Sequence, residues 1–115
     1  MTSGNLFTAI PTPLPAELVQ QLHVGHGVRI ERIVSQGHTS PPEGQWYDQD
    51  ADEWVALLTG DATILFDNPR REVTLAAGDW LLIPAHACHR VTHTSADQPS
   101  VWLAVHLPAQ GCVIG

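Results

Sequence analysis

Lysine is absent from this chain of 115 residues, and only five arginines stand against twelve aspartates and glutamates. The net charge of −7 makes nucleic acid and anionic membranes poor partners, because phosphate groups would be repelled over most of the surface. Without lysine, neither Schiff-base chemistry nor an ammonium clamp for phosphate is available. Arginine is therefore the only permanently cationic side chain that can bind an anion here.

Cysteines and long apolar runs are also scarce. The two cysteines, Cys88 and Cys112, occur in a chain without a recognisable signal peptide, so we expect reduced thiols rather than a disulfide. No stretch approaches the ~18 apolar residues that a membrane span needs, and the expected location is the cytoplasm. Hydrophobic residues make up 43% of the chain, which is typical of one globular domain.

Turn signals divide the chain into short segments. Residues 1–15 are rich in proline and are predicted to form an extended arm, after which Pro15, Leu18, Val19 and Leu22 predict a short helix. Downstream, β-rich runs predict strands at 28–34, 54–59, 62–66, 72–75, 80–83, 89–94 and 101–107. Short strands about ten residues apart predict an antiparallel sandwich or small barrel.

Two stretches resemble the paired signatures of the cupin superfamily. The first signature reads Gly, five residues, His-x-His, three or four residues, Glu, six residues, Gly. The second reads Gly, five residues, Pro-x-Gly, two residues, His, three residues, Asn. Here Glu53 to Gly60 reproduces the end of the first, and Gly78 to His89 follows the spacing of the second. The resemblance implies an all-β cupin double-stranded β-helix, or jelly-roll barrel.

The predicted organisation follows from this resemblance and from the turn signals. We expect an arm and short helix in residues 1–27, one cupin barrel in 28–107 and a C-terminal tail in 108–115. The chain also looks like a subgroup of short bacterial cupins whose functions are mostly unassigned. The resemblance therefore implies a fold and the place of a site, but not a reaction.

The first signature departs from the family at its two histidines. A four-residue gap before the glutamate places Trp46 and Asp48 at those positions, whereas a three-residue gap places Tyr47 and Gln49 there. We weigh Asp48 as a ligand that replaces a missing histidine, and Trp46 as a wall of the pocket. The alternative for Asp48 is a solvated acidic loop.

The resemblance implies a metal ligand at His89, because the family has a metal-binding imidazole at this position. Glu53 heads an apolar run, where a carboxylate would be costly to bury without a cation. Asp48, Glu53 and His89 would form a triad of two carboxylates and one imidazole, and His86 could complete a set of four. The expected cofactor is one divalent ion, Mn, Fe, Ni or Zn.

The histidines also have structural interpretations. His89 could be a core histidine bonded to a carbonyl, Glu53 could face solvent, and His86 could bond loop carbonyls at the barrel rim. His93 lies four residues after His89 on the same strand face and is a candidate pocket residue. The sequence leaves open whether His106 faces the lumen.

The favoured interpretation is a small cupin that binds a divalent metal and acts on a small organic molecule by oxygenase or isomerase chemistry. The alternative is a non-catalytic cupin that binds or senses a small ligand, and a third possibility is a vestigial site kept for a dimer surface. A homodimer is expected, because edges of sandwiched sheets are often covered by an exchanged strand.

Overall fold

The computed structural model describes residues 1–109, which contain eight β-strands and no α-helix. The strands are β1 (Leu18–Gly25), β2 (Val28–Ser35), β3 (Asp52–Leu57), β4 (Asp61–Phe66), β5 (Arg71–Ala76), β6 (Trp80–Ile83), β7 (His89–Thr94) and β8 (Ser100–Leu107). The seven predicted strands are confirmed, each to within two residues at either end. Cys112 and the end of the predicted tail lie outside the described residues.

The strands form two antiparallel sheets that face each other. One has five strands in the order β1-β2-β8-β3-β6, and the other has three in the order β5-β4-β7. This arrangement confirms the predicted all-β fold of the jelly-roll type. Residues 1–109 include no helix long and apolar enough to cross a membrane.

The helix predicted after Pro15 is wrong, because residues 18–25 form strand β1 instead. This strand pairs with β2, and Val19 lies opposite Ile33. His26 and Gly27 both have positive φ, at 54° and 77°, which is typical of the tight turn of a two-residue hairpin. Pairing with β2 therefore overrides the helix-like spacing of the apolar residues in this segment.

The inner face of the five-stranded sheet changes from apolar to polar along its strands. Side chains alternate along a strand, so Glu53, Val55 and Leu57 of β3 share one face. On the neighbouring strand β8, Ala104 and His106 lie opposite Val55 and Glu53. The apolar end is the buried core, and the polar end opens into a cavity.

Gly60 lies in the turn between β3 and β4 and has a φ of +80°. A Cβ atom at this position would lie 2.8 Å from the Cα atom of Ser100, which is completely buried. The glycine that ends the first cupin signature is therefore required by close backbone packing as well as by its left-handed conformation.

The N-terminal arm crosses the outer face of β2, where Arg32 is buried beneath it. The guanidinium donates to the carbonyls of Leu6 at 3.1 Å and Ala9 at 3.5 Å, and to the side chain of Gln20 at 2.7 Å. It also donates to the carbonyl of Thr8 at 2.6 Å. Arg32 therefore holds the N-terminal arm against β2 of the same chain.

Candidate functional site

A cavity of about 250 Å³ opens at the polar end of the barrel. This volume is slightly below the roughly 300–1,000 Å³ of pockets for drug-sized ligands, so a bound molecule must be small. Its apolar walls are Val19, Ile33, Val55, Ile64, Ile83, Val91 and Trp102. Its polar walls are Glu17, Arg29, Glu31, Ser40, Tyr47, Gln49, Glu53, His89 and His106.

Glu53 and His89 come from opposite sheets and meet in this cavity. They are only 9% and 5% exposed, and Oε1 of Glu53 lies 3.7 Å from Nε2 of His89. Nδ1 of His89 donates to the carbonyl of Ala87 at 2.7 Å, which fixes the ring and turns Nε2 towards the carboxylate. A separation of 3.7 Å is too long for a hydrogen bond, so both atoms remain available to contact a ligand that lies beside them in the cavity.

A second acid–base pair lies beside the first. His106 is the direct partner of Glu53 across β3 and β8, and its Nε2 donates to Oε1 of Glu31 at 3.0 Å. Its other nitrogen, Nδ1, is buried and has no hydrogen-bond partner among residues 1–109. Arg29 donates to the second oxygen of Glu31 at 3.1 Å. The second pair is therefore a histidine and a carboxylate that also holds the arginine.

Tyr47 and Gln49 complete the wall from the loop before β3. The backbone N–H of Tyr47 donates to the carbonyl of His89 at 2.8 Å, and the reverse bond measures 3.1 Å. The side-chain amide of Gln49 lies 3.4 Å from Oε1 of Glu53. Burial raises the pKa of Tyr47 above 10.0, although a hydrogen bond with Ser40 acts in the opposite direction. The phenol therefore keeps its proton near neutral pH and can donate it in a hydrogen bond.

Asp48 and His86, two of the four predicted metal ligands, form a separate pair on the outside of the barrel. Nδ1 of His86 lies 2.7 Å from Oδ1 of Asp48, and both side chains are more than half exposed. The other ring nitrogen lies 3.5 Å from Oδ1 of Asp50. The hydrogen bond to Asp48 raises the pKa of His86 above 6.5. The structure thus does not bring this pair to Glu53 and His89.

The two predicted pocket residues also lie outside the cavity. The guanidinium carbon of Arg90 lies over the ring of Trp46, 5.9 Å from its centroid, in a groove on the exterior. His93 is exposed and lies 2.8 Å from Oδ1 of Asp61. A bulge in β7 is the reason, because Thr63 pairs with His93 while the next residue of β4 pairs with Val91. The extra residue turns His93 to the opposite face from Val91.

The side chains in the cavity do not fit a metal centre with three protein ligands. Glu53 and His89 supply two donors, whereas catalytic zinc sites generally use three. Within residues 1–109, no group of three or more His, Cys, Asp and Glu side chains is arranged to hold an ion. Tyr47 and Gln49 occupy the two positions at which the three-residue gap of the first signature would place histidines. Because tyrosine and glutamine stand at these two positions instead of histidines, the cavity has fewer side chains that can bind a metal ion.

Tyr47, Gln49 and His106 are cavity residues that the sequence did not assign to the site. Tyr47, Gln49 and Glu53 are separated by even numbers of residues, and strand alternation would have placed them on one face. The same period connects His106 with Ala104 and Trp102 in β8. The signal was present, but choosing between two gap lengths required knowledge of the loop path.

Comparison with known proteins identifies a family and a similar protein of known structure. The sequence profile of a family described as "Cupin domain" matches residues 30–106. A protein from Ralstonia eutropha JMP134, described as a "putative mannose-6-phosphate isomerase", is 45% identical. The alignment covers 95% of this chain and 100% of that one, with a TM-score of 0.88.

More distant solved structures share the fold. A cupin superfamily protein from Desulfitobacterium hafniense DCB-2 is 22% identical over 82% of this chain and 79% of its own, with a TM-score of 0.67. An RmlC-like cupin from Desulfovibrio desulfuricans is 17% identical over 94% and 98%, with a TM-score of 0.71. No protein with a curated description matches the chain.

Proposed function

Because this chain belongs to the cupin domain family, we propose that its cavity binds a small organic molecule and transfers a proton between two of its atoms, as an isomerase does. The observation that carries this proposal is the buried Glu53–His89 pair, whose facing atoms are 3.7 Å apart and not bonded to each other. Facing ionisable groups in a cavity are typical of acid–base catalysis.

The proposed reaction is an enolisation followed by reprotonation. One member of the pair, the Glu53 carboxylate or Nε2 of His89, takes a proton from the carbon next to a carbonyl group. The electrons of that C–H bond form a C=C bond, the π electrons of the carbonyl group move to its oxygen, and the phenol of Tyr47 donates a hydrogen bond to the resulting enolate oxygen. In a hydroxy-carbonyl compound the hydroxyl proton then passes to the enolate oxygen, and the base returns its proton to the former carbonyl carbon. The carbon that first lost its proton becomes the new carbonyl, and no oxidant or reductant is consumed.

The Ralstonia relative favours isomerase over oxygenase chemistry. Its description names an isomerase, and the similarity extends over all of its length at 45% identity. Acid–base residues alone can perform an isomerisation, whereas activation of oxygen requires a redox cofactor. The sequence left these two reaction classes equal, and this similarity now supports the isomerase.

A cupin that holds one divalent ion is the second candidate. The hydrogen bond from Nδ1 of His89 to a carbonyl is the usual arrangement of a metal-binding imidazole. Glu53 and His89 would be its protein ligands, and the ion would supply a Lewis acid. It ranks second because the cavity provides only these two donors at matching family positions.

Incorporation of deuterium distinguishes these functions. The protein, washed with a chelator, is incubated in D₂O with a panel of small hydroxy-carbonyl and amino-carbonyl compounds, and exchange at the carbon is followed by NMR. We expect exchange that falls at least roughly 100-fold in Glu53→Gln and in His89→Gln, the scale of a lost acid–base group. The matched control is Glu72→Gln, because Glu72 is exposed on β5.

Each other result has a defined meaning. Exchange that appears only after a divalent ion is restored would support the second candidate. A compound that binds in the cavity without exchange would indicate the non-catalytic ligand-binding cupin. Equal exchange in wild type and Glu53→Gln, with the same circular dichroism spectrum, would refute the proposed role of the pair.

A further inference from the structure

The charges around the cavity are unbalanced towards the negative. Among residues 1–109, three carboxylates, of Glu17, Glu31 and Glu53, line it with one guanidinium, that of Arg29. That guanidinium is already bonded to Glu31 at 3.1 Å, and Glu31 also accepts from His106. The single permanent cation of the cavity is therefore neutralised by its neighbour, and two carboxylates remain.

Glu53 is the carboxylate that faces the ligand space. It is 9% exposed, and its nearest polar neighbours are the amide of Gln49 at 3.4 Å and Nε2 of His89 at 3.7 Å. Neither is a short hydrogen bond, and the proton that fixes the His89 ring is given to Ala87. A carboxylate so deeply buried is stable when a cation or strong donor meets it.

Glu17 is the remaining carboxylate of the cavity, and apolar side chains form the wall behind Glu53. Glu17 accepts a hydrogen bond of 2.7 Å from the hydroxyl of Ser35, which holds its carboxylate at the cavity wall. Behind Glu53 the surface is formed by Val55, Ile64 and Ile83, which have no polar side-chain atoms. The cavity consequently combines an apolar surface with an excess of negative charge.

We propose that the ligand is a small organic cation, such as a primary amine on a hydrocarbon or sugar-sized body, whose ammonium group meets Glu53. The same charges repel phosphate monoesters and carboxylates, so a phosphosugar is a poor ligand despite the name given to the Ralstonia relative. This inference rests on the cavity's being the site of the proposed function. It adds the substrate class, an amine-bearing carbonyl compound, and it assigns the proton transfer to Nε2 of His89, because Glu53 then holds the ammonium group.

A series of ligands with one shared body tests the inference on the wild-type protein. Cyclohexylamine, cyclohexanol, cyclohexanecarboxylate and cyclohexyl phosphate differ only in the group that would meet Glu53. Calorimetry at pH 7 and fixed salt should show the amine binding roughly tenfold or more tightly than the alcohol, the scale of one charge-assisted hydrogen bond. The two anions should not bind. Equal affinities, tighter binding of either anion, or no binding in the whole series would overturn the proposal.

Variants locate the preference within the protein. Glu53→Gln should reduce the ratio of amine affinity to alcohol affinity to about one. Glu72→Gln removes the same charge at an exposed position of β5, so it should retain the ratio of the wild type. If Glu53→Gln does not fold, the order of affinities on wild type still decides. Preference for the amine without proton exchange in amino-carbonyl compounds would refute the proposed function and leave this inference intact. Proton exchange with anionic substrates would support the proposed function and refute this inference.

Discussion

Asp48 and His86 form a hydrogen bond of 2.7 Å between the loop before β3 and the loop before β7, on the outside of the barrel. The neighbouring backbone is also joined, since the N–H of His86 donates to the carbonyl of Gln49 at 2.8 Å. The side chain of Gln49 turns inwards to Glu53. The external pair therefore fastens a wall of the cavity, although neither of its side chains enters it.

The first prediction concerns the titration of His86. Its hydrogen bond to Asp48 raises its pKa above 6.5, so the bond stabilises the fold fully below the unfolded-state pKa. That contribution is lost as pH rises through the higher folded-state pKa. NMR titration should give a pKa above 6.5 for wild type and a value nearer 6.5 for Asp48→Asn.

The pH dependence of the unfolding free energy also tests the raised pKa of His86. The difference in unfolding free energy between wild type and His86→Gln should shrink as pH rises from about 6 to about 9. His23→Gln is the control, because His23 is exposed. A difference that grows with pH, or a His86 pKa at or below 6.5, would contradict the assignment.

Tyr47 is the only tyrosine of the chain, so its ionisation can be followed alone by ultraviolet absorption. Burial raises its pKa and the hydrogen bond with Ser40 lowers it. We expect a midpoint above 10.0 in wild type and a still higher midpoint in Ser40→Ala. Because the unfolded chain loses this proton first, the fold should become less stable as pH rises through 10. A midpoint in Ser40→Ala below that of wild type would contradict the predicted contact.

Two Gly→Ala variants distinguish the cost of backbone strain from the cost of a steric clash with the added Cβ atom. Gly60→Ala combines a left-handed φ of +80° with a close approach to Ser100, whereas Gly44 has a φ of +86° and nothing within 4 Å of an added Cβ. Gly44→Ala should cost about 1–2 kcal/mol. Gly60→Ala should cost about 1–3 kcal/mol more, because the backbone must also move. Chemical denaturation would measure both, and equal costs would exclude the collision.

Arg32 should control the accessibility of the N-terminal arm. Arg32→Lys keeps the charge but loses the planar fork that reaches the carbonyls of Leu6 and Ala9. Chymotrypsin should then cleave after the half-exposed Phe7 several times faster than in wild type. Arg71→Lys, at an exposed position of β5, should leave the rate unchanged. Unchanged cleavage in Arg32→Lys would show that the arm is held by other contacts.

The sequence predicted strands well because turns and β-rich runs are local signals. Two features depend on pairing between strands and could not be predicted from local sequence. Residues 18–25 have helix-like apolar spacing, and only pairing with β2 makes them a strand. His93 has the right spacing from His89 to face the lumen, and the bulge in β7 turns it outwards. Strand alternation predicts side-chain direction only where the ladder is regular.

The placement of the site could be predicted in part for the same reason. Glu53 and His89 lie at signature positions in regularly paired parts of β3 and β7, and the structure places both in the cavity. Asp48 was favoured because a carboxylate can replace a histidine as a ligand. A one-residue difference in the loop decides whether Asp48 or Gln49 faces inwards, and local composition carries no information about that register.

The last prediction restores the ligands that the first signature lacks. If the three-residue gap is the correct alignment, Tyr47→His together with Gln49→His adds two imidazoles to Glu53 and His89 in one cavity. Four donors of this kind suit Ni²⁺ or Zn²⁺. We expect affinity for these ions to rise at least roughly 100-fold over wild type, measured by calorimetry and by the metal content of the dialysed protein. The control is Trp46→His with Asp48→His, which follows the four-residue gap and places both imidazoles outside the cavity. Equal gains in the two double variants would refute the three-residue alignment, and one tightly bound ion per wild-type chain would show that two protein donors suffice.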